Sequence, residues 1–453
     1  MKSQMLIGAA SSGSGKTTFT LGLLHVLKKR GCRVQPFKCG PDYIDTQYHT
    51  MVAGCASVNL DTWLASEDHV KQLYARYGAE ADVCVTEGVM GLFDGYDGMH
   101  GSSAEIACLL HIPVILVLNA RSMAYSAAPI LYGYKHFNPA VHIAGVVFNQ
   151  VAGESHYSYL QQACKDVGVE CLGYLPRRSA IEIPSRHLGL TLDEKFRFDA
   201  FTDRIATLIE EFVDVDRLLQ LASVPLEETN SAQTDHLRAN PEKACEANIT
   251  IDKNNGAVSE KSSMRIAVAR DEAFNFTYCE NIRKLEALGE IIYFSPMRDS
   301  LLPAAADLVY LPGGYPEFFL EEISENDSML YSIASYIKAG GKLLAECGGM
   351  MYLCHSIIGI NGVGYPMVGA LKQDATMKGM KLHLGYRKLN YNGMALRGHE
   401  FHYSHVNNSL PSETTMYNAK GMATNTAFIR YKNAIASYAH LYWGEQNILD
   451  LWK

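Results

Sequence analysis

The sequence predicts an α/β protein of two domains, the first a doubly wound parallel sheet entered through a phosphate-binding loop. Three observations predict it. Short apolar runs at 5–9, 33–38, 83–87, 114–119 and 143–149 alternate with amphipathic stretches, the pattern of a parallel sheet with helices on both faces. Between about 222 and 263 the texture shifts to Glu, Asn, Ser, Thr and Lys, with too few large apolar residues to close a core. A second alternating segment follows, with strands expected at 265–269, 308–311, 342–345 and 434–439. The expected domains are therefore 1–221 and 264–453, and 222–263 is a polar linker.

Composition narrows the function classes. A chain of 453 residues is too long for one ordinary core, and 48% apolar with 19% charged residues is a normal globular balance. The net charge of -8 gives no electrostatic reason to expect nucleic acid. The eleven cysteines contain no CxxC pair, and Cys84 and Cys108 lie in apolar runs where a thiol acts as a small hydrophobe. No apolar run is long enough to span a bilayer and 1–5 does not open like a secretory leader, so a cytoplasmic location is expected.

The first element ends in Gly8-Ala-Ala-Ser-Ser-Gly-Ser-Gly-Lys-Thr-Thr18 before a helix begins. Gly13 and Gly15 let backbone N–H groups, with that of Ser14, converge on an anion at the positive end of the helix. Lys16 is expected on the terminal phosphates, Thr17 on Mg²⁺, and Thr18 beside them. Ala10 stands where the strict pattern has glycine, and Gly8 lies upstream, so the loop resembles the longer variant of dethiobiotin synthetase and its relatives. Two later strands end in Lys38 with Gly-Pro-Asp-Tyr-Ile-Asp45, and in Glu87-Gly-Val-Met-Gly-Leu-Phe-Asp94. Ligands collect at the carboxyl ends of parallel strands, so Lys38, Asp45 and Glu87 are expected on one Mg-nucleotide; Thr17, Asp45 and Glu87 form an all-oxygen set. Asp42, Asp45 and Asp94 also sit beside Gly and Pro, where Asp forms turns without any ligand.

In the second half, Gly341-Lys-Leu-Leu-Ala-Glu-Cys-Gly-Gly-Met-Met351 reads as a strand, a sharp turn at Cys347 and a helix. This is a nucleophile elbow carrying a thiol, and the helix start is expected to lower its pKa. The Gly348 N–H and a second donor from the Leu311-Pro-Gly-Gly-Tyr-Pro-Glu317 turn, at Gly314, are expected to form an oxyanion hole. A base is required, and His399, His402 and His440 are the candidates.

Together these strings resemble the cobyrinic acid a,c-diamide synthase family, a relative of cobyric acid synthase. The resemblance runs over nearly the whole chain, through Ser12–Thr18, 34–46, Asn59-Leu-Asp61, 87–95, 183–190, 311–317 and 398–404. It implies a dethiobiotin synthetase-like first domain and a class I glutamine amidotransferase-like second one. The activity it implies is two ATP-dependent amidations, of the a and c acetate side chains of a modified tetrapyrrole in cobalamin biosynthesis, with L-glutamine as nitrogen donor. Cys347 would be the nucleophile and His440 the base, Asn149 would read adenine, and Asp42, Tyr43, Asp45, Asn59 and Asp94 would lie on the substrate side. His440 is followed by Leu441 and Tyr442 in place of the x-Glu of a full triad, so a Cys-His dyad is expected.

The implied chemistry is coherent. A carboxylate resists ammonia until phosphorylation by ATP supplies a leaving group, and ammonia crossing between two sites must stay unprotonated, so an enclosed path is expected. Rival readings are a partitioning-type ATPase switch, which has no use for Cys347, or amidation of a related ring such as nickel-sirohydrochlorin or hydrogenobyrinic acid. A homodimer is compatible with the chain.

Overall fold

The computed structural model describes residues 2–177, 198–225 and 264–453. The family-like segment at 183–190 and the polar stretch at 226–263 lie outside the described residues. The chain divides into two compact units, Met1–Ile251 and Asp252–Lys453.

The first unit alternates strand and helix: β1 (Lys2–Ala9), α1 (Lys16–Lys29), β2 (Val34–Cys39), α2 (Ile44–Ala53), β3 (Val58–Leu60), α3 (Glu67–Gly78), β4 (Val83–Glu87), α4 (Ser103–Leu109), β5 (Val114–Asn119), α5 (Ala127–Phe137), β6 (Ile143–Val151), α6 (Glu154–Val167), β7 (Glu170–Pro176), α7 (Phe198–Phe212), α8 (Val215–Leu221) and β8 (Ser223–Val224). Seven parallel strands run in the order β3-β2-β4-β1-β5-β6-β7, and β8 pairs antiparallel with the start of β1. The near-continuous apolar runs predicted from sequence are buried on both faces, as a parallel sheet between helix layers requires. One of those layers packs Phe19, Leu23, Val26 and Leu27 of α1 against Ile205 and Ile209 of α7. β1, β2 and β4 are neighbours, so their carboxyl ends open onto one edge.

The second unit contains β9 (Met264–Ala269), α9 (Cys279–Leu288), β10 (Gly289–Phe294), β11 (Leu308–Leu311), α10 (Leu320–Glu325), α11 (Asp327–Lys338), β12 (Lys342–Glu346), α12 (Gly348–Leu353), β13 (Cys354–Ile358), β14 (Gly364–Pro366), β15 (Leu371–Thr376), β16 (His383–Tyr391), β17 (Met394–His402), β18 (His405–Asn407), β19 (Phe428–Tyr431), β20 (Ala434–Ser437) and β21 (His440–Tyr442). The main sheet is β10-β9-β11-β12-β20-β19, parallel except at β19. Strand alternation splits its core in two: Val309, Leu311, Leu343 and Ala345 face one cluster, and Leu308, Tyr310, Leu344 and Ile435 face the other. Two smaller sheets, β14-β13-β15-β18 and β16-β17-β21, complete the unit.

One sequence expectation is corrected. The run 434–439 was expected to be a single strand ending at His440, but β20 stops at Ser437. His440 opens the separate strand β21, opposite His399 of β17. The Ser437 hydroxyl accepts the Ala439 N–H, which turns the chain out of the first sheet.

Candidate active site

In the first unit the loop after β1 turns at Gly13 (φ 77°) and Gly15 (φ 99°), left-handed positions that glycine adopts without strain. A Cβ on Gly15 would lie 2.0 Å from the Asn149 side-chain nitrogen. That amide donates to the Ser14 carbonyl at 3.0 Å, and its oxygen accepts the Gln150 N–H. Asn149 thus braces the phosphate loop, a role not read from the sequence. Lys16 is buried, with Nζ donating to the Met90 carbonyl at 2.5 Å, across the loop that follows β4. Thr18 is half-buried on the first turn of α1.

Lys38, Asp45, Glu87 and Thr17 meet at the shared strand edge. Lys38 Nζ lies 2.5 Å from Asp45 Oδ2 and 2.9 Å from Glu87 Oε1, with Asp42 Oδ2 at 3.9 Å. The Thr17 hydroxyl donates to Glu87 Oε1 at 2.7 Å and approaches Asp45 Oδ2 at 3.4 Å. Burial would discharge the lysine, but three carboxylates outweigh it and hold its pKa above the usual value. Burial opposes the Glu87 charge as well, yet Lys38, His49 and Thr17 hold its pKa well below the ordinary range. His49, which sequence reasoning missed, bridges Glu87 Oε2 (2.8 Å) and Ser57.

The other expected substrate residues shape loops. Asp42 accepts the N–H groups of Ile44 and Asp45, the Asn59 amide holds the Gly40 and Asp42 carbonyls, and Asp94 accepts the Gly91 N–H. Tyr43 precedes the first turn of α2 and is buried. Asp42 and Asp94 make the turn contacts that their neighbours suggest, Asp42 also lies within ion-pair reach of Lys38, and Asp45 belongs to the charged cluster.

In the second unit, β11, β12 and β20 are adjacent, and the site is built from the segments that leave their carboxyl ends. Cys347 sits between β12 and α12 at φ 47° and ψ -109°, a region that costs a non-glycine residue roughly 1–3 kcal/mol. Its N–H donates to the Ser437 carbonyl at 2.8 Å, which ties the elbow to β20. A Cβ on Gly348 would be 2.7 Å from Pro316 Cδ and 3.0 Å from the Gly314 carbonyl, so the elbow rests on the Gly-Gly-Tyr-Pro turn. A Cβ on Gly313 would lie 2.1 Å from His440 Cε1. The same turn therefore touches the histidine on one side and the elbow on the other.

The electrostatics differ from the sequence expectation. The thiol was expected to have a lowered pKa, but burial and then the nearby Glu317 carboxylate push it well up. The six-residue α12 and the Gly348 N–H, which bonds the sulfur, do not overcome this. His440 is 1% exposed and is pushed down to about 3 by burial, with His399 and His402 adding to the effect. A neutral imidazole on the same glycine turn as a thiol that keeps its proton can serve as a proton acceptor.

The three histidines are not equivalent. His402 Nε2 lies 2.6 Å from Glu400 Oε1 and Nδ1 lies 2.7 Å from the Ser404 carbonyl. These two contacts occupy both ring nitrogens. The ring is stacked on Tyr438 at 3.7 Å and on His383 at 5.0 Å. Arg387 and the Thr426 hydroxyl hold the other Glu400 oxygen. His399 packs edge-on to Tyr386. Sequence reasoning quoted the strings containing Glu317, Glu346 and Glu400 but gave these carboxylates no role. A signal was present, since each lies within four residues of the glycine, cysteine or histidine that marks its string: Glu317 after the Gly-Gly turn, Glu346 at the end of β12 before Cys347, and Glu400 in β17 between His399 and His402.

A phosphate loop leading to a buried lysine–carboxylate cluster, followed in the same chain by a cysteine elbow beside a neutral histidine, defines a nucleotide-using glutamine amidotransferase. Residues 5–190 match the CobQ/CobB/MinD/ParA nucleotide binding domain, and residues 265–448 match the CobB/CobQ-like glutamine amidotransferase domain. The chain is 38% identical to the cobyrinate a,c-diamide synthase of Caldanaerobacter subterraneus subsp. tengcongensis, over 96% of this chain and 94% of that one. It is 38% identical to that of Listeria monocytogenes, over 98% and 97%, and 40% identical to that of a Synechococcus species, over 97% and 95%. The chain belongs to the cobyrinate a,c-diamide synthase family. It is an ATP-using enzyme that amidates with nitrogen from glutamine. Among the described residues no helix is long and apolar enough to cross a membrane.

Proposed function

We propose that this chain amidates the a and c acetate carboxylates of cobyrinic acid, each through an acyl phosphate made with ATP and ammonia released at Cys347. The observation that carries the reading is the presence in one chain of two separate centres, the Lys16–Lys38–Asp45–Glu87 edge and the Cys347–His440 turn. Neither centre alone accounts for the other.

In the first unit, proposed as 1–221, the phosphate loop binds the nucleotide through Gly13, Ser14, Gly15, Lys16, Thr17 and Thr18, and Asn149 braces it and borders the base. Among the described residues no three His, Cys, Asp or Glu side chains gather into a metal group. The available set is instead two carboxylates and a hydroxyl, and they already hold one cation, the Lys38 ammonium. Hard oxygens around a cation position fit Mg²⁺, so Thr17, Asp45 and Glu87 would hold it. When bound, the ion would neutralise phosphate charge during transfer. Lys38 is long enough to serve the phosphates, and the loops of Asp42, Tyr43, Asn59 and Asp94 wall the substrate side.

In the second unit, proposed as 264–453, His440 takes the Cys347 proton as sulfur attacks the glutamine carboxamide, then returns it to the departing ammonia. Gly314 and Gly348 are the proposed oxyanion donors. The segment 222–263 is the proposed linker, the compartment is the cytoplasm and the assembly a homodimer.

The test is an assay dependent on ATP and glutamine across cobyrinic acid, hydrogenobyrinic acid and nickel-sirohydrochlorin acids, with product masses read for one or two amidations. Double amidation of cobyrinic acid at the highest kcat/KM is expected. Preference for another ring would move the substrate assignment and leave the chemistry. Lys16→Ala should abolish amidation with either nitrogen source, because activation precedes transfer; undiminished turnover would remove ATP activation from the account.

A further inference from the structure

Glu317 is a carboxylate with no structural task. It follows Pro316 in the turn that touches both Gly348 and His440. Its Oε2 is shut off from solvent and has no hydrogen-bond partner among the described residues. The residue as a whole is only half-buried, so the carboxylate points into the protein from a segment that solvent still reaches. Its neighbour Phe318 is exposed, so the turn reaches the protein surface. Buried carboxylate oxygens are normally paired, and an orphan marks a place where a partner is missing. The preceding Pro316 lies against the elbow, 2.7 Å from where a Cβ on Gly348 would stand, and the Glu317 charge raises the thiol of the adjoining Cys347.

We infer that Glu317 receives the α-ammonium group of the donor glutamine, anchoring the amino acid so that its carboxamide reaches Cys347. This rests on the proposed glutamine chemistry and adds the group that selects the donor. Glutamine carries one positive group, two methylenes and a carbon away from the carboxamide that sulfur attacks. An anion beside the thiol, presented on the turn that flanks elbow and base, is placed to meet that group. A cation there satisfies the orphan oxygen and offsets the charge that holds the thiol up. Burial pushes the Glu317 carboxyl up to about 7, countered by its own backbone N–H, and a cation held there would favour its charged form.

The experiment compares L-glutamine with glutaramic acid, the same carboxamide without the α-amino group, as substrates or competitive inhibitors of the full-length enzyme and of Glu317→Gln and Glu317→Asp. In the wild type, glutamine should be favoured roughly 10- to 100-fold, the range for a hydrogen bond to a charged group. In Glu317→Gln the preference should fall to within about threefold, mainly through the glutamine KM, and Glu317→Asp should lie between. The readout is a ratio of two ligands on one preparation, so partial misfolding cancels. Equal losses for both ligands, or a preserved preference in Glu317→Gln, would overturn the assignment. A wild-type enzyme that hydrolyses no glutamine would instead sink the amidotransferase reading on which it rests.

Discussion

Glu346 holds Leu441: its Oε1 accepts the Leu441 N–H at 2.9 Å, while its Oε2 accepts the Tyr310 hydroxyl at 2.7 Å. The residue before the cysteine thus fixes the residue after the histidine, and one carboxyl group sets the elbow and the base in register. Burial pushes this carboxyl up to about 8. Because the folded value lies above the ordinary carboxyl value of 4.5, its contribution to stability is complete below about 4.5 and is lost as pH rises through 8. Glu346→Gln can keep both contacts without titrating. Glutamine hydrolysis should stay within a few-fold of wild type, and the melting temperature relative to wild type should climb from pH 5 to pH 8.5. A pH-independent difference would mean the carboxyl is ionised throughout. Glu346→Leu strands the buried Leu441 N–H, should cost about 1–3 kcal/mol, and should lower glutamine hydrolysis far more than Gln does.

Glu400 shows the opposite sign. It meets His402, Arg387 and Thr426 and is held down to about 2, burial being overcome by His402 and Arg387. Its contribution is present above about 4.5 and is lost as pH falls toward 2. Glu400→Gln leaves Arg387 and His402 buried without their counter-charge and should destabilise by roughly 3–5 kcal/mol at neutral pH. Acid melts should show this gap closing between pH 4.5 and 2.5. A gap unchanged over that window would show that the carboxylate does not carry the charge assigned to it.

The fold was legible where one periodicity dominates. Strands 83–87, 114–119 and 308–311 coincide with β4, β5 and β11, because parallel strands buried on both faces have no other reading. The antiparallel sheets of the second unit were not legible. β17, Met394–His402, mixes Arg397, His399, Glu400 and His402 with Leu396 and Phe401, and Glu400 is matched in part by residues distant in sequence, Arg387 and Thr426. Lys38, Asp45 and Glu87 were legible as a cluster, since strand ends share an edge. The His402 hydrogen bonds to Glu400 and Ser404, each two residues away, were not, because which way a ring turns is decided by the packing around it. The raised thiol value of Cys347 was missed for the same reason: local helix geometry is visible in sequence, and burial beside Glu317 is not.

Glu87 tests the cation site. Its Oε1 meets both Lys38 and Thr17, and its Oε2 meets His49. Glu87→Gln removes one of two carboxylates from the proposed Mg²⁺ set, while Asp45 and Asp42 still neutralise Lys38. ATP-dependent amidation should need at least tenfold more Mg²⁺ for half-maximal rate, and glutamine hydrolysis should remain measurable. An unchanged Mg²⁺ titration would place the ion elsewhere.

Cys347 and His440 separate the two centres most cleanly. The Cys347 thiol is buried and pushed well up, so little thiolate exists without a base, and His440 is held neutral to about pH 3. Cys347→Ala removes the nucleophile and should reduce glutamine-dependent amidation by at least 10³-fold, in line with loss of a covalent catalyst. Cys347→Ser should do nearly the same, since a hydroxyl is a poorer nucleophile than sulfur and the dyad provides no further help. High ammonium should restore amidation in both, because the first unit needs only free NH₃ and an acyl phosphate. His440→Ala should follow Cys347→Ala, with a loss of 10²- to 10⁴-fold, the range for a general base. His402→Ala should retain part of the glutamine activity, because both nitrogens of that ring are already engaged by Glu400 and Ser404. Glutamine use that survived in His440→Ala would pass the base role to His399, which lies opposite it across β17 and β21. Loss of ammonium-driven amidation in a Cys347→Ala protein with a wild-type melting curve would show that the thiol serves the first centre too, and the two-centre account would fail.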